Sequence, residues 1–266
     1  MGMEFNSSEP ISKGRIMRLN HMTLLKSLAA ATLLAVVALA MPTQSRAAFI
    51  DLTPTNGVNS STSIPLSQLI SGATEGVKVG DKLFSGFNYS FIGDMPQAID
   101  VQVLGFKDNN GNWGVSFHGA FLDLPGGGIS DAAVRFIVDI DPAFLQAGYR
   151  INDAHLFMNG AGVGPDSFFT IDESFLENSQ HLNTYISTLN GGGTKLSDST
   201  VFATPVTRLH VTKDILANAA TGTFLPARAT VIDQSFSQII IPEPATLMIS
   251  MIGVLGFVGF ARNRQR

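Results

Sequence analysis

"WGVSFHGAF", residues 113–121, decides the fold. Trp113, Val115, Phe117 and Phe121 fall on one face, and Ser116 and His118 fall on the other. That is a period of two residues, and it predicts a strand with one buried and one wet face. The pattern recurs outward from this stretch. "VRFIVDID" (134–141) turns Val134, Phe136, Val138 and Ile140 inward and Arg135, Asp139 and Asp141 outward. "IDVQVLGF" (99–106) aligns Ile99, Val101 and Val103, and "FNYSF" (87–91) aligns Phe87, Tyr89 and Phe91. "RLHVTKD" (208–214) and "FSQIII" (236–241) read as further strands.

Turn signals separate these runs. In "KDNNGNW" (107–113), Asn110-Gly111 predicts a two-residue hairpin turn that needs positive φ. "LPGGGIS" (124–130) and "LNGGGTK" (189–195) are looser glycine loops. Helix is scarce. "SIPLSQLISG" (63–72) predicts one short helix with Ser63 as N-cap, Pro65 in the first turn and Gly72 past the end. "DPAFLQAG" (141–148) predicts another, with Asp141, Pro142 and Gly148 in those roles. Roughly ten short strands imply an all-β fold, an antiparallel, jelly-roll-like β-sandwich.

The two ends of the chain do not belong to that sandwich. Arg15, Arg18 and Lys26 precede the apolar run Ser27 to Met41. A small-residue site follows, with Ser45 and Ala47 at its two small positions, so cleavage is expected between Ala47 and Ala48. Residues 1–47 thus read as a secretory signal peptide for the Sec translocon and signal peptidase. Met17 or Met22 would open a signal of ordinary length, so 1–16 reads as an overextended start.

At the far end, Ala245 to Ala261 is a run of 17 uncharged residues, and Arg262, Arg264 and Arg266 follow it. As a helix it would extend about 25 Å, the short limit for a membrane span. The arginines keep the 262–266 tail cytoplasmic and put the preceding body outside. Pro242, Glu243 and Pro244 stand just before the run, and their fixed φ predicts a stiff extended segment at the membrane face.

This three-part end, 242–266, resembles the PEP-CTERM sorting signal of Gram-negative bacteria. The motif is carried by Pro242, Glu243 and Pro244, the span by 245–261 and the basic anchor by Arg262, Arg264 and Arg266. The resemblance implies an exported substrate of exosortase, a membrane cysteine protease whose genes accompany exopolysaccharide production. It implies transient anchoring in the inner membrane, then the cell surface or the extracellular space. The body also resembles a recurrent type of such substrate through "VGDKLFSGFNYSF" (79–91), "HVTKD" (210–214) and "SQIIIPEP" (237–244), a type without established activity.

Between the signals lie residues 48–241, enough for one core. The 21 acidic residues less Glu4, Glu9 and Glu243 leave 18, and the 17 basic residues less five in the leader and three in the tail leave nine. A body near −9 does not suit nucleic acid or anionic lipid. With no cysteine, disulfides and thiolate chemistry are excluded.

The remaining residues assemble no reaction centre by spacing. His118, His155, His181 and His210 lack metal-site spacing and read as surface histidines. Asp108, Asn110 and Asn112 imitate a calcium loop, but Trp113 and Gly119 stand where glycine and glutamate are required. Asp139 and Asp141 share a strand face and read as solvated carboxylates, with a shared calcium as the alternative. Asp172 and Glu173 are adjacent and face opposite sides, so they are not a glycosidase pair. No metal and no cofactor are expected. The expectation is a non-catalytic exported surface or extracellular-matrix protein associated with exopolysaccharide or biofilm. The alternatives are a carbohydrate-binding module stacking sugar on Trp113, Tyr89 or Tyr149, and a secreted hydrolase.

Overall fold

The structure, a computed structural model, describes residues 48–241. The expected signal peptide, the Pro242–Pro244 motif, the expected 245–261 span and the basic tail all lie outside the described residues. Among the described residues no helix is long and apolar enough to cross a membrane.

Two sheets pack face to face. Their strands are β1 Phe49–Asp51, β2 Asn59–Pro65, β3 Gly76–Val79, β4 Lys82–Ile92, β5 Gln102–Lys107, β6 Trp113–Asp123, β7 Ser130–Ile140, β8 Tyr149–Asn159, β9 Phe168–Phe175, β10 Asn178–Ser187, β11 Gly193–Lys195, β12 Ser197–Val206, β13 Arg208–Asn218, β14 Ala227–Phe236 and β15 Gln238–Ile240. One sheet runs β1-β3-β4-β7-β13-β9-β10-β11, and the other runs β12-β8-β14-β6-β5-β2 with β15 added beside β8. The pairing of β1 with β3 is parallel. The central pairs, such as β13 with β7 and β14 with β6, are antiparallel.

The inward halves of the alternation predicted for 113–121 and 134–141 are observed, but Ser116, expected on the wet face, is buried, and Asp141 lies past the end of β7 as a helix cap. Val115, Phe117 and Phe121 are buried on β6, and Val134, Phe136, Val138 and Ile140 are buried on β7. Phe136 sits among Phe84 and Phe87 from its own sheet and Phe117 from the other, at 6.2, 5.7 and 5.9 Å between ring centres. This aromatic group fastens the sheets at mid-length.

Local chemistry departs from the sequence reading at three places. Ser63 does not cap a helix. It belongs to β2 and donates to the Gln102 side chain at 3.0 Å, while helix α1 (Leu66–Ile70) begins at Pro65 without a side-chain cap. Cross-strand pairing outcompetes a cap for that hydroxyl. Ile99 does not join Val101 and Val103. It is exposed in a turn, where the Asp100 amide donates to Gln97, and β5 starts only at Gln102. The β5–β6 hairpin is present, but its loop has three residues. The Gly111 amide closes a turn onto the Asp108 carbonyl at 3.0 Å, the Asp108 amide donates to the Asn112 carbonyl at 3.0 Å, and within the loop positive φ falls on Gly111 alone. A tight turn followed by a left-handed glycine matches strand twist with one residue more than the Asn-Gly form.

The second helix follows its prediction. Helix α2 (Pro142–Gln146) is capped by Asp141, which accepts from the Ala143 amide, and Gly148 closes it at φ +86°. Gly148 also accepts from the Ile241 amide at 2.8 Å. The described chain therefore ends beside α2 and the first residues of β8.

Candidate functional site

The outer face of the second sheet gathers a cluster of polar side chains. Outward positions carry Ser116 and His118 on β6, Asp233 and Ser235 on β14, and His155, Phe157 and Asn159 on β8. Ser116, Asp233 and Ser235 are buried even so, and Asp108 at the base of the β5–β6 loop reaches Ser235. Asp108 is the pivot of that loop. Its Oδ1 accepts from the amides of Asn110 (2.8 Å) and Asn112 (2.9 Å), and its Oδ2 accepts from the Asn112 side chain (2.9 Å) and Ser235 Oγ (2.7 Å). Burial opposes the charge on Asp108. The bonds from Ser235, Asn112 and Asn110 outweigh it and hold the carboxyl below the usual aspartate value. The calcium-like spacing of Asp108, Asn110 and Asn112 is thus a loop knitted by its own hydrogen bonds.

Beside this loop lies a half-open depression of about 550 Å³. Its walls are Val58, Phe106, Phe157 and the polar side chains of Asp108, Asn109, Asn110, Asn159 and Asp233. Phe106 and Phe157 stand 6.3 Å apart at 60°. Asp233 accepts from Ser116 Oγ on one oxygen and from Asn159 Nδ2 (2.9 Å) on the other. Burial pushes the Asp233 carboxyl up, against those two bonds. The exposed amides of Asn109 and Asn110 have side chains engaged by no group among the described residues. The depression thus offers paired donors and acceptors beside two aromatic walls.

The aromatic residues singled out from sequence lie elsewhere. Trp113 is half-buried against the core, with Lys107 Nζ 4.6 Å from its ring centre. Tyr89 is half-buried on β4. Burial pushes its phenol far up, and its hydroxyl donates to the Pro96 carbonyl at 2.7 Å. Tyr149 meets Phe144 edge-on at 5.5 Å. The three do not share a face.

Four of the candidate ligating groups are engaged by partners, whereas His118 Nε2 is buried without one among the described residues. Asp139 holds Arg208 through both oxygens, at 2.8 and 3.0 Å. Asp141 holds Lys78 at 2.6 Å while capping α2. Neither is a simply solvated carboxylate, because a cation reaches each one, Arg208 from the adjacent β13 and Lys78 from β3. His155 pairs with Asp153 at 3.0 Å, and His210 pairs with Glu177. The reading of these two as free surface histidines is corrected by acidic neighbours that the sequence spacing did not connect. Among the described residues no three His, Cys, Asp or Glu side chains gather as metal ligands. Asp172 and Glu173 do face opposite sides: Asp172 is exposed and Glu173 is buried.

Sequence reasoning missed Phe106, Phe157, Asn159 and Asp233. The available signal was Asp233, a carboxylate directly after Val231 and Ile232 in β14.

Residues 241–265 match the PEP-CTERM protein-sorting motif. That motif marks an exported protein sorted to the cell surface and processed by the membrane protease exosortase. No curated protein matches the chain. Among solved structures, the chain is similar to TmCBM27, a carbohydrate-binding module described for specific mannan recognition. The identity is 8%, the alignment covers 66% of this chain and 97% of that one, and the TM-score is 0.25, too slight a likeness to argue from.

Proposed function

We propose that the chain is a non-catalytic β-sandwich of the cell surface or extracellular matrix, delivered by exosortase and associated with exopolysaccharide in a Gram-negative bacterium. One observation carries this reading: the sorting motif begins at residue 241, directly after β15 ends at Ile240. The whole sandwich therefore precedes the signal, as cargo precedes its address. Its strand order supports a jelly roll. Of the strands β6 to β10 and β12 to β14, one four-stranded set runs β12-β8-β14-β6 and the other runs β7-β13-β9-β10, the winding of two interlocked Greek keys. The non-catalytic reading is supported by the way the carboxylates are used. Asp108, Asp139, Asp141 and Asp153 each hold a structural partner.

Fractionation of an exopolysaccharide-producing host tests this reading. The protein is expected in the surface and matrix fractions, and deletion of 242–266 is expected to move it elsewhere. Recovery of the wild type in the cytoplasm would contradict it.

A second reading is favoured by the depression. Phe106 and Phe157 with Asn109, Asn110 and Asn159 suit a sugar ring, which needs an apolar wall for its C–H face and amides for its hydroxyls. A glycan array of the exported protein, with Asn159→Ala as control, reads this directly. Binding that Asn159→Ala leaves unchanged would remove the depression as the site.

A further inference from the structure

Three polar side chains meet between the sheets, where apolar ones are the rule. Lys213 on β13 and Glu173 on β9 are register partners in the first sheet. Both side chains point inward, and each has 0% exposure. Gln234 reaches them from β14 of the other sheet and is equally buried. Lys213 Nζ touches both Glu173 Oε2 and Gln234 Oε1. Two atoms of the group are left over: Glu173 Oε1 and Gln234 Nε2 are buried without a partner among the described residues. An orphaned buried polar atom is costly, so a pair of them at one spot calls for an explanation.

The chemistry of the three groups supplies one. Burial pushes the Lys213 amine far below its usual range, so its lone pair is available. A desolvated lysine amine is a nucleophile toward carbonyl carbon. Its nitrogen rests against the carbonyl end of a carboxamide, and a carboxyl group in contact with it can carry a proton. The two unpartnered atoms belong to the two groups such a reaction would use: the carboxamide that loses its nitrogen and the carboxyl that carries the proton.

We propose that Lys213 and Gln234 become covalently joined by an amide bond from Nζ to Cδ that ties the two sheets together, with Glu173 as the catalytic proton carrier. Lys213 enters as the free amine, its proton resting on Glu173. Nζ attacks Cδ of Gln234, and the carbonyl electron pair moves onto Oε1. Glu173 gives its proton to Nε2 and takes one from Nζ. The carbonyl re-forms as Nε2 departs as ammonia. One carbon–nitrogen bond forms, one breaks, Glu173 ends as it began, and no oxidant or external acid is consumed. The product removes the orphaned amide nitrogen and a chargeable amine from the core, which favours it. It also gives an exported chain without cysteine a covalent tie that no disulfide can supply.

Peptide mapping of the full-length protein, denatured and digested with trypsin, tests the link. The expected result is a branched species joining the Lys213 peptide to the Gln234 peptide, about 17 Da lighter than their sum. Cleavage after Lys213 should be lost with it. Fully free peptides would overturn the proposal, and so would a link mapped to Glu173 with loss of water. Glu173→Gln keeps both joined residues but removes the proton carrier, so the branched peptide should fall at least tenfold. Undiminished linking in that variant would overturn the role of Glu173. The wild-type map decides the link itself, whether or not the variant folds.

Discussion

The ring of Phe136, on β7 of one sheet, lies 5.9 Å from the ring of Phe117, on β6 of the other, at 44°. Both residues are almost wholly buried. Phe136 also stacks on Phe87 at 5.7 Å, so a single side chain joins neighbours in its own layer to the opposite layer. Phe136→Ala is expected to cost about 3–5 kcal/mol in denaturant unfolding, from lost transfer energy and a cavity that β7 cannot close. A loss under about 1 kcal/mol would mean that the sheets are fastened elsewhere.

Asp108 should govern the hairpin over the polar face. Asp108→Ala leaves the buried Ser235 hydroxyl and two loop amides without their acceptor. The expected cost is roughly 1–3 kcal/mol, the penalty for unsatisfied buried groups. The folded carboxyl is held below its ordinary value of 3.8. Its contribution is therefore present above pH 3.8 and lost as pH falls through the lower folded value. Wild type and variant should converge in stability in strong acid. A gap that persists undiminished there would contradict this assignment.

Trp113 is the sole tryptophan, and it reports on Gly80. A β-carbon on Gly80 would stand 2.5 Å from the Trp113 ring, and Gly80 has φ +61°. Gly80→Ala must therefore displace the indole, at about 1–3 kcal/mol. The expected readout is a red-shifted fluorescence maximum in the folded protein. An unshifted spectrum would show that Trp113 is not packed as described.

The His155–Asp153 pair gives a pH dependence of the opposite sign. The hydrogen bond to Asp153, more than the charge itself, raises the His155 pKa above 6.5, and burial opposes it. Its stabilisation is therefore fully present below pH 6.5 and fades as pH rises through the higher folded value. In NMR titrations Asp153→Asn should move the His155 midpoint down. An unmoved midpoint would break the pairing.

How much of this was legible in the sequence depends on what each signal competed with. Period-two alternation in 134–141 met no rival, and Val134, Phe136, Val138 and Ile140 are buried as expected. The same alternation placed Lys213 on the inward face with Leu209, Val211 and Ile215, but a lysine there contradicts the usual rule that charge faces water. Its partners Glu173 and Gln234 come from β9 and β14, so no spacing could announce them. Ser63 carried a cap signal that β2 overrode by pairing. The depression was illegible for the same reason as the core network. Its walls come from Val58, the β5–β6 hairpin, β8 and β14, which only the fold brings together.

Delivery depends on the sorting signal, and the C-terminal mass of the exported protein reports on that signal without intermediaries. The protein is purified from matched hosts with and without exosortase, and its last residue is read by mass spectrometry. With the protease, the chain should end at or near Pro242–Pro244, stripped of the 245–261 span and of Arg262, Arg264 and Arg266. Without it, the tail should remain. A chain still ending at Arg266 in the host with exosortase would exclude processing at this signal, and so would equal trimming in both hosts.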